Sequence, residues 1–264
     1  MKKILFLALV AVAVAVASFD TAFTSRDGET VRVLFIGNSL TSANNLPAMV
    51  AAIAKSHGDK LIYAAHTPGG ARFSQHAASR DVLEKLRQQD WDFVVLQEQS
   101  QLPGLGTRLL AKAVYPPAAY LVEETRKANV QTSVVFYMTM AHRNGDPANK
   151  KTASELLTFE GAQRRINRTY MNLAQQNQAL VAPVGVAWRE ARKKYPEISL
   201  YADDVHPNPT GTYLAACVFY ATLFQNPCTG AAVPRGINPA AAEPLQNTAD
   251  KVVLNPGSSW DWRE

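Results

Sequence analysis

Short runs of β-branched and aromatic residues recur along the chain, each followed by a stretch whose apolar positions are spaced for a helix. The first run, residues 31–36 (Val-Arg-Val-Leu-Phe-Ile), ends at Gly37. It is nearly continuous rather than strictly alternating, the pattern of a strand covered on both faces. Leu46, Met49, Val50 and Ile53 then share one side of a helix predicted over 45–57, with Pro47 in its first turn. Residues 60–65, 92–96, 133–138 and 180–184 read as further strands. Helical patterns fall around 82–89, from near Pro116 through Val122, and over 155–178, 186–195 and 209–224. Residues 142–149 form a polar loop, and the tail after Gly230 is expected to wrap the surface or add one short helix.

This βαβ rhythm predicts an α/β fold: a three-layer α/β/α sandwich around a mostly parallel sheet of about five strands. Its strand carboxyl ends, and the loops that follow them, then share one edge. With no internal repeat and no clear linker, a single domain over 18–230 followed by a C-terminal extension over 231–264 is the simplest organisation.

The amino terminus reads as an address. Lys2 and Lys3 precede an apolar run over 4–17 that ends in small residues, a pattern expected of a cleaved signal peptide over 1–17. The run is shorter than the roughly 20 residues of a membrane span, so the mature protein is expected to be exported, with no stable insertion in the membrane. Of the 27 basic and 22 acidic residues, 25 and 22 remain after removal of that segment. The balance is weakly positive and scattered, which argues against a nucleic-acid partner. Cys217 and Cys228 are the only cysteines. In an oxidising compartment they are expected to form a disulfide, the alternative being two small buried thiols.

Four segments lie at strand ends or just before helices: 37–41, 67–70, 96–100 and 203–207. Ser39 directly follows a strand and precedes a helix, where a hydroxyl is exposed and a backbone N–H lies at a helix start, although a capping serine would occupy the same place. Asp203 and His206, three apart, suit an acid that orients an imidazole, with Asp204 a rival acid. Gly70 lets a backbone N–H approach a developing oxyanion. Gln97 and Gln99 compete to supply an amide donor at the end of the third strand.

The motif Gly37-Asn38-Ser39-Leu40 resembles the first block of the SGNH (GDSL-like) hydrolases, and Asp203-x-x-His206-Pro207, with Asn208 and Gly211 downstream, resembles their last block. The resemblance covers about 31–224. It implies a flavodoxin-like SGNH hydrolase fold with Ser39 as nucleophile, His206 as base, Asp203 as orienting acid and Gly70 as the second-block glycine. The third block departs: Gln97-Glu98-Gln99 stands where Gly-x-Asn is the family pattern, which places Gln99 at the amide position of the oxyanion hole. The activity implied is serine ester hydrolysis without metal or organic cofactor. The expected partner is a small-molecule or glycan ester, with acetyl or another short acyl group on a carbohydrate as the leading substrate. Asn38, Gln97, Arg72 and His142 are candidate substrate-binding residues. A lipase or thioesterase, or a non-catalytic glycan-binding protein on the same fold, are the rival readings.

Overall fold

The computed structural model describes residues 28–255. The expected signal segment, 1–17, and residues 256–264 of the extension lie outside the described residues. Five strands, β1 (Thr30–Ile36), β2 (Lys60–His66), β3 (Phe93–Leu96), β4 (Ser133–Tyr137) and β5 (Leu180–Ala182), alternate with ten helices. These are α1 (Ser39–Ser42), α2 (Leu46–Ser56), α3 (Phe73–Ala77), α4 (Arg80–Leu86), α5 (Thr107–Ala113), α6 (Tyr115–Ala128), α7 (Phe159–Asn177), α8 (Val184–Lys194), α9 (Pro209–Phe224) and α10 (Pro239–Leu254). All four strand pairings are parallel, in the order β2-β1-β3-β4-β5. The chain runs from β1 to one side of the sheet and then crosses to the other. This puts a topological switch at the carboxyl ends of β1 and β3, where α/β folds place their sites.

The register explains why β1, β3 and β4 read as continuous apolar runs. Phe35 pairs with Val95 and Val95 with Val135, and this row faces α9 through edge-on contacts of Phe219 with Phe35 (5.7 Å) and Tyr137 (5.0 Å). The alternate row holds Ile36, Leu96 and Phe136, and Phe136 meets Phe73 of α3 at 6.2 Å on the opposite face. Both rows are fully buried, each large apolar side chain contributing roughly 2–3 kcal/mol.

Helix α9 is buried from Gly211 to Phe224. It packs against α2, α8 and α10, which accounts for an apolar pattern around the whole helix. The extension is therefore more regular than the tail's composition suggested: Asn238 caps α10 by accepting from Ala240 N–H, Pro239 fills its first turn, and α10 shields α9. Helix α7 starts later than the predicted 155, because 154–157 form a separate 3₁₀ turn. Thr158 caps Gly161 N–H at 3.1 Å, and a side chain at Gly161 would strike the Glu155 carbonyl at 2.0 Å. Cys217 and Cys228 are two buried free thiols rather than the expected disulfide. Burial pushes the Cys217 thiol up, and the neighbouring Cys228 acts in the same direction.

Candidate active site

Ser39 opens α1 directly after β1. Asn38, fully buried, accepts the Leu40 N–H with its side-chain oxygen at 3.1 Å and donates from Nδ2 to the Ala71 carbonyl at 2.9 Å. Its own N–H donates to Gln97 Oε1 at 2.9 Å, and the Thr41 hydroxyl donates to the same oxygen at 2.9 Å. Gly37 is required by this arrangement: a Cβ there would lie 2.4 Å from Thr41 Oγ1 and 2.6 Å from Gln97 Oε1. The departure from the third-block pattern thus has a packing role, since the large Gln97 fills the space beside Gly37 and anchors the nucleophile loop. Both polar ends of Asn38 and the carbonyl of Gln97 are engaged inside the protein, so the structure gives these two residues a scaffolding place rather than the substrate-facing one expected.

His206 reaches Ser39 from the loop before α9. Its Nε2 lies 3.0 Å from Ser39 Oγ and its Nδ1 2.8 Å from Asp203 Oδ2. The other Asp203 oxygen accepts the backbone N–H groups of Val205 and His206, each at 2.6 Å. The His206 backbone and side-chain bonds, with the Val205 bond, hold the Asp203 carboxyl down to about 2. An ionised Asp203 fixes the ring with Nδ1–H toward it, leaving Nε2 to accept the Ser39 proton. The rival acid is otherwise occupied. Asp204 Oδ1 accepts from Asn144 N (3.2 Å) and Nδ2 (2.8 Å), and its carbonyl accepts from Arg143 N (2.7 Å), tying this loop to the one after β4.

The His206 loop is braced at both ends. Tyr201 and Pro207 form an antiparallel bridge, and Asn44 Nδ2 donates to the Pro207 carbonyl (3.0 Å) and to Thr212 Oγ1 (2.9 Å). Asn208 caps α9 by accepting Gly211 N–H at 2.9 Å. Any side chain at Gly211 would collide with the Leu200 carbonyl at 2.2 Å and with Trp188.

Gly70 sits in the turn after β2 with φ +66, a left-handed conformation suited to glycine, and the space around its Cα is open. Its N–H and that of Ser39 have no hydrogen-bond partner among the described residues. Gln99 is not aimed as expected: its Oε1 accepts from Gln101 N (3.0 Å) and Leu102 N (3.2 Å), and its Nε2 donates to Gln101 Oε1 at 3.4 Å. The longer amide folds back on its own loop. Arg72 is exposed at the start of α3, and His142 lies after β4 with its side chain 12% exposed.

Glu98, His76 and Ser100 take supporting places that their sequence positions alone did not assign. Glu98 is fully buried, and its Oε1 accepts Phe73 N–H at 3.0 Å and Gln99 N–H at 2.7 Å, bridging the segments after β2 and β3. Burial pushes its carboxyl up to about 7, against the pull of those two N–H groups and of Arg72. His76, also buried, meets the His66 ring edge-on at 5.5 Å, and burial and that neighbouring ring hold its imidazole down to about 4. Ser100 hydrogen-bonds His142. Glu98 and Ser100 fall in the polar run 97–101 and His76 follows the polar pair Ser74-Gln75, so the sequence did not set their roles apart from those of their neighbours.

No protein-family model and no curated protein sequence matches this chain. Solved structures do. A DUF4886 family protein from Bacteroides uniformis superposes with a TM-score of 0.74 at 21% identity, over 86% of this chain and 96% of that one. An acetylxylan esterase from Geobacillus stearothermophilus shares the fold with a TM-score of 0.51 at 16% identity, over 74% of this chain and 95% of that one. A protein from Slackia heliotrinireducens assigned to the SGNH hydrolases matches at 31% identity and a TM-score of 0.60, over 74% of this chain and 99% of that one. That level of identity over the whole of the relative, on a five-stranded parallel sheet of matching architecture, shows that the chain belongs to the SGNH hydrolase superfamily.

Proposed function

We propose that the protein is an exported serine ester hydrolase that removes acetyl or another short acyl group from a carbohydrate. The observation that carries the reading is the continuous relay Ser39–His206–Asp203, with contacts of 3.0 and 2.8 Å. His206 Nε2 takes the Ser39 proton as Oγ attacks the ester carbonyl. The developing oxyanion meets the Ser39 and Gly70 N–H groups, and losing one such donor costs about 3 kcal/mol of transition-state stabilisation. His206 then hands its proton to the departing alcohol. It next takes a proton from water, whose oxygen attacks the acyl-serine, and returns that proton to Ser39 Oγ as the acid leaves. Asp203, ionised throughout, orients the ring and favours its cation. Gln99 would have to leave its own loop to add a third oxyanion donor.

The carbohydrate assignment rests on polar surroundings. Arg72 is exposed at the start of α3, and His142 lies beside the His206 loop with its Nδ1 4.0 Å from Asp204 Oδ2. The acetylxylan esterase activity named for a structural neighbour agrees with this choice. A panel of 4-nitrophenyl esters from acetyl to palmitoyl, run beside acetylated xylosides, tests it. Fastest turnover of acetyl esters is expected. A maximum at long chains would overturn the short-acyl reading in favour of a lipase.

A further inference from the structure

A second serine–histidine pair occupies the same edge of the sheet. Ser100 follows β3 and His142 follows β4, and Ser100 Oγ lies 3.0 Å from His142 Nε2. On the far side of the ring, Nδ1 faces Asp204 Oδ2 at 4.0 Å, beyond hydrogen-bond range. Ser100 is 8% exposed. Asp204 fastens the His142 loop through Arg143 and Asn144. Burial lowers the His142 ring below its ordinary range, with His206 acting in the same direction and Asp146, Asp204 and Asp203 opposing. A neutral imidazole hydrogen-bonded to a hydroxyl is a donor–acceptor pair rather than a charge.

Topology decides which half of the ester this pair meets. Gly70 follows β2, on one flank of β1, whereas Ser100 and His142 follow β3 and β4, on the other. His206 must give its proton to the departing alcohol, so the alcohol stands on His206's side of Ser39. His142 shares that side: its Nδ1 lies 4.0 Å from Asp204, the neighbour of Asp203 in the His206 loop, and Asn144 Nδ2 ties the two loops together at 2.8 Å. We propose that Ser100 and His142 form the subsite for the alcohol half of the substrate, taking a ring hydroxyl next to the esterified one. This rests on the carbohydrate-ester reading above.

The test keeps the acyl group and changes the alcohol. kcat/KM is measured for 4-nitrophenyl acetate and for a monoacetylated methyl xylopyranoside, with wild type, Ser100→Ala, Ser100→Thr and His142→Gln. Urea unfolding monitors the fold. Loss of a hydrogen bond should lower the xyloside-to-aryl ratio about tenfold in Ser100→Ala and in His142→Gln, chiefly through KM. Ser100→Thr, which keeps the hydroxyl, should hold the ratio within about twofold. An equal fall on both esters, or no change in the ratio, would overturn the subsite. Wild type that cleaves the aryl ester but not the xyloside would instead overturn the carbohydrate reading, and remove the subsite's ligand with it.

Discussion

Replacing Glu98 by glutamine should change how the protein's stability depends on pH. The Glu98 carboxyl is fully buried between α3 and the loop after β3, and its Oε2 has no hydrogen-bond partner among the described residues. Burial raises it from an ordinary 4.5 to about 7, while Gln99 N–H, Phe73 N–H and Arg72 pull the other way. The folded protein therefore binds this proton more tightly than the unfolded chain. Stability from this group is fully present below pH 4.5 and is lost as the pH rises through about 7. At 1.36 kcal/mol per pH unit, the loss amounts to about 3 kcal/mol. Glutamine keeps the oxygen that accepts from Phe73 and Gln99 and never ionises. Urea unfolding of wild type and Glu98→Gln at pH 4.5, 6 and 8 reads the difference directly, since other titrating groups cancel between the two proteins. The variant should gain about 3 kcal/mol relative to wild type across that range. A difference that stays constant with pH would refute the reasoning and show that Glu98 remains charged in the fold.

Further expectations concern the relay and its scaffold. Gly37→Ala should destabilise the fold by about 2 kcal/mol or more, because the added methyl meets Thr41 Oγ1 and Gln97 Oε1; the urea midpoint checks this. Gln97→Ala leaves Asn38 N–H and Thr41 Oγ1 without their shared acceptor, and should cost about 1–3 kcal/mol and lower kcat together with stability. Asp203→Asn should reduce kcat by about 10²-fold or more by weakening control of the His206 tautomer. Asp204→Asn should reduce it far less, and the comparison of the two, by initial rates on 4-nitrophenyl acetate, identifies the orienting acid.

The backbone was largely legible from the chain. Strands β1, β3 and β4 are buried on both faces, so their apolar runs stand out, and Ser39 and His206 sit in short motifs whose spacing survives without any tertiary information. What stayed hidden depends on where side chains turn. Gln99 occupies the expected position, yet its amide satisfies two N–H groups of its own loop. Asn38 and Gln97 read as polar and accessible but face each other inside the protein. The Ser100–His142 contact joins residues 42 apart that only the β3–β4 pairing brings together. Helix α10 was obscured by its Pro and Ala content, although Asn238-Pro239 is a helix-start signal.

The central claim is that Ser39 is the nucleophile. Incubation with a fluorophosphonate, followed by peptide mass mapping, tests it most directly. The account predicts one phosphonyl adduct on Ser39, absent in Ser39→Ala and much slower to form in His206→Ala. An adduct on Ser100, or undiminished labelling of Ser39→Ala, would contradict it.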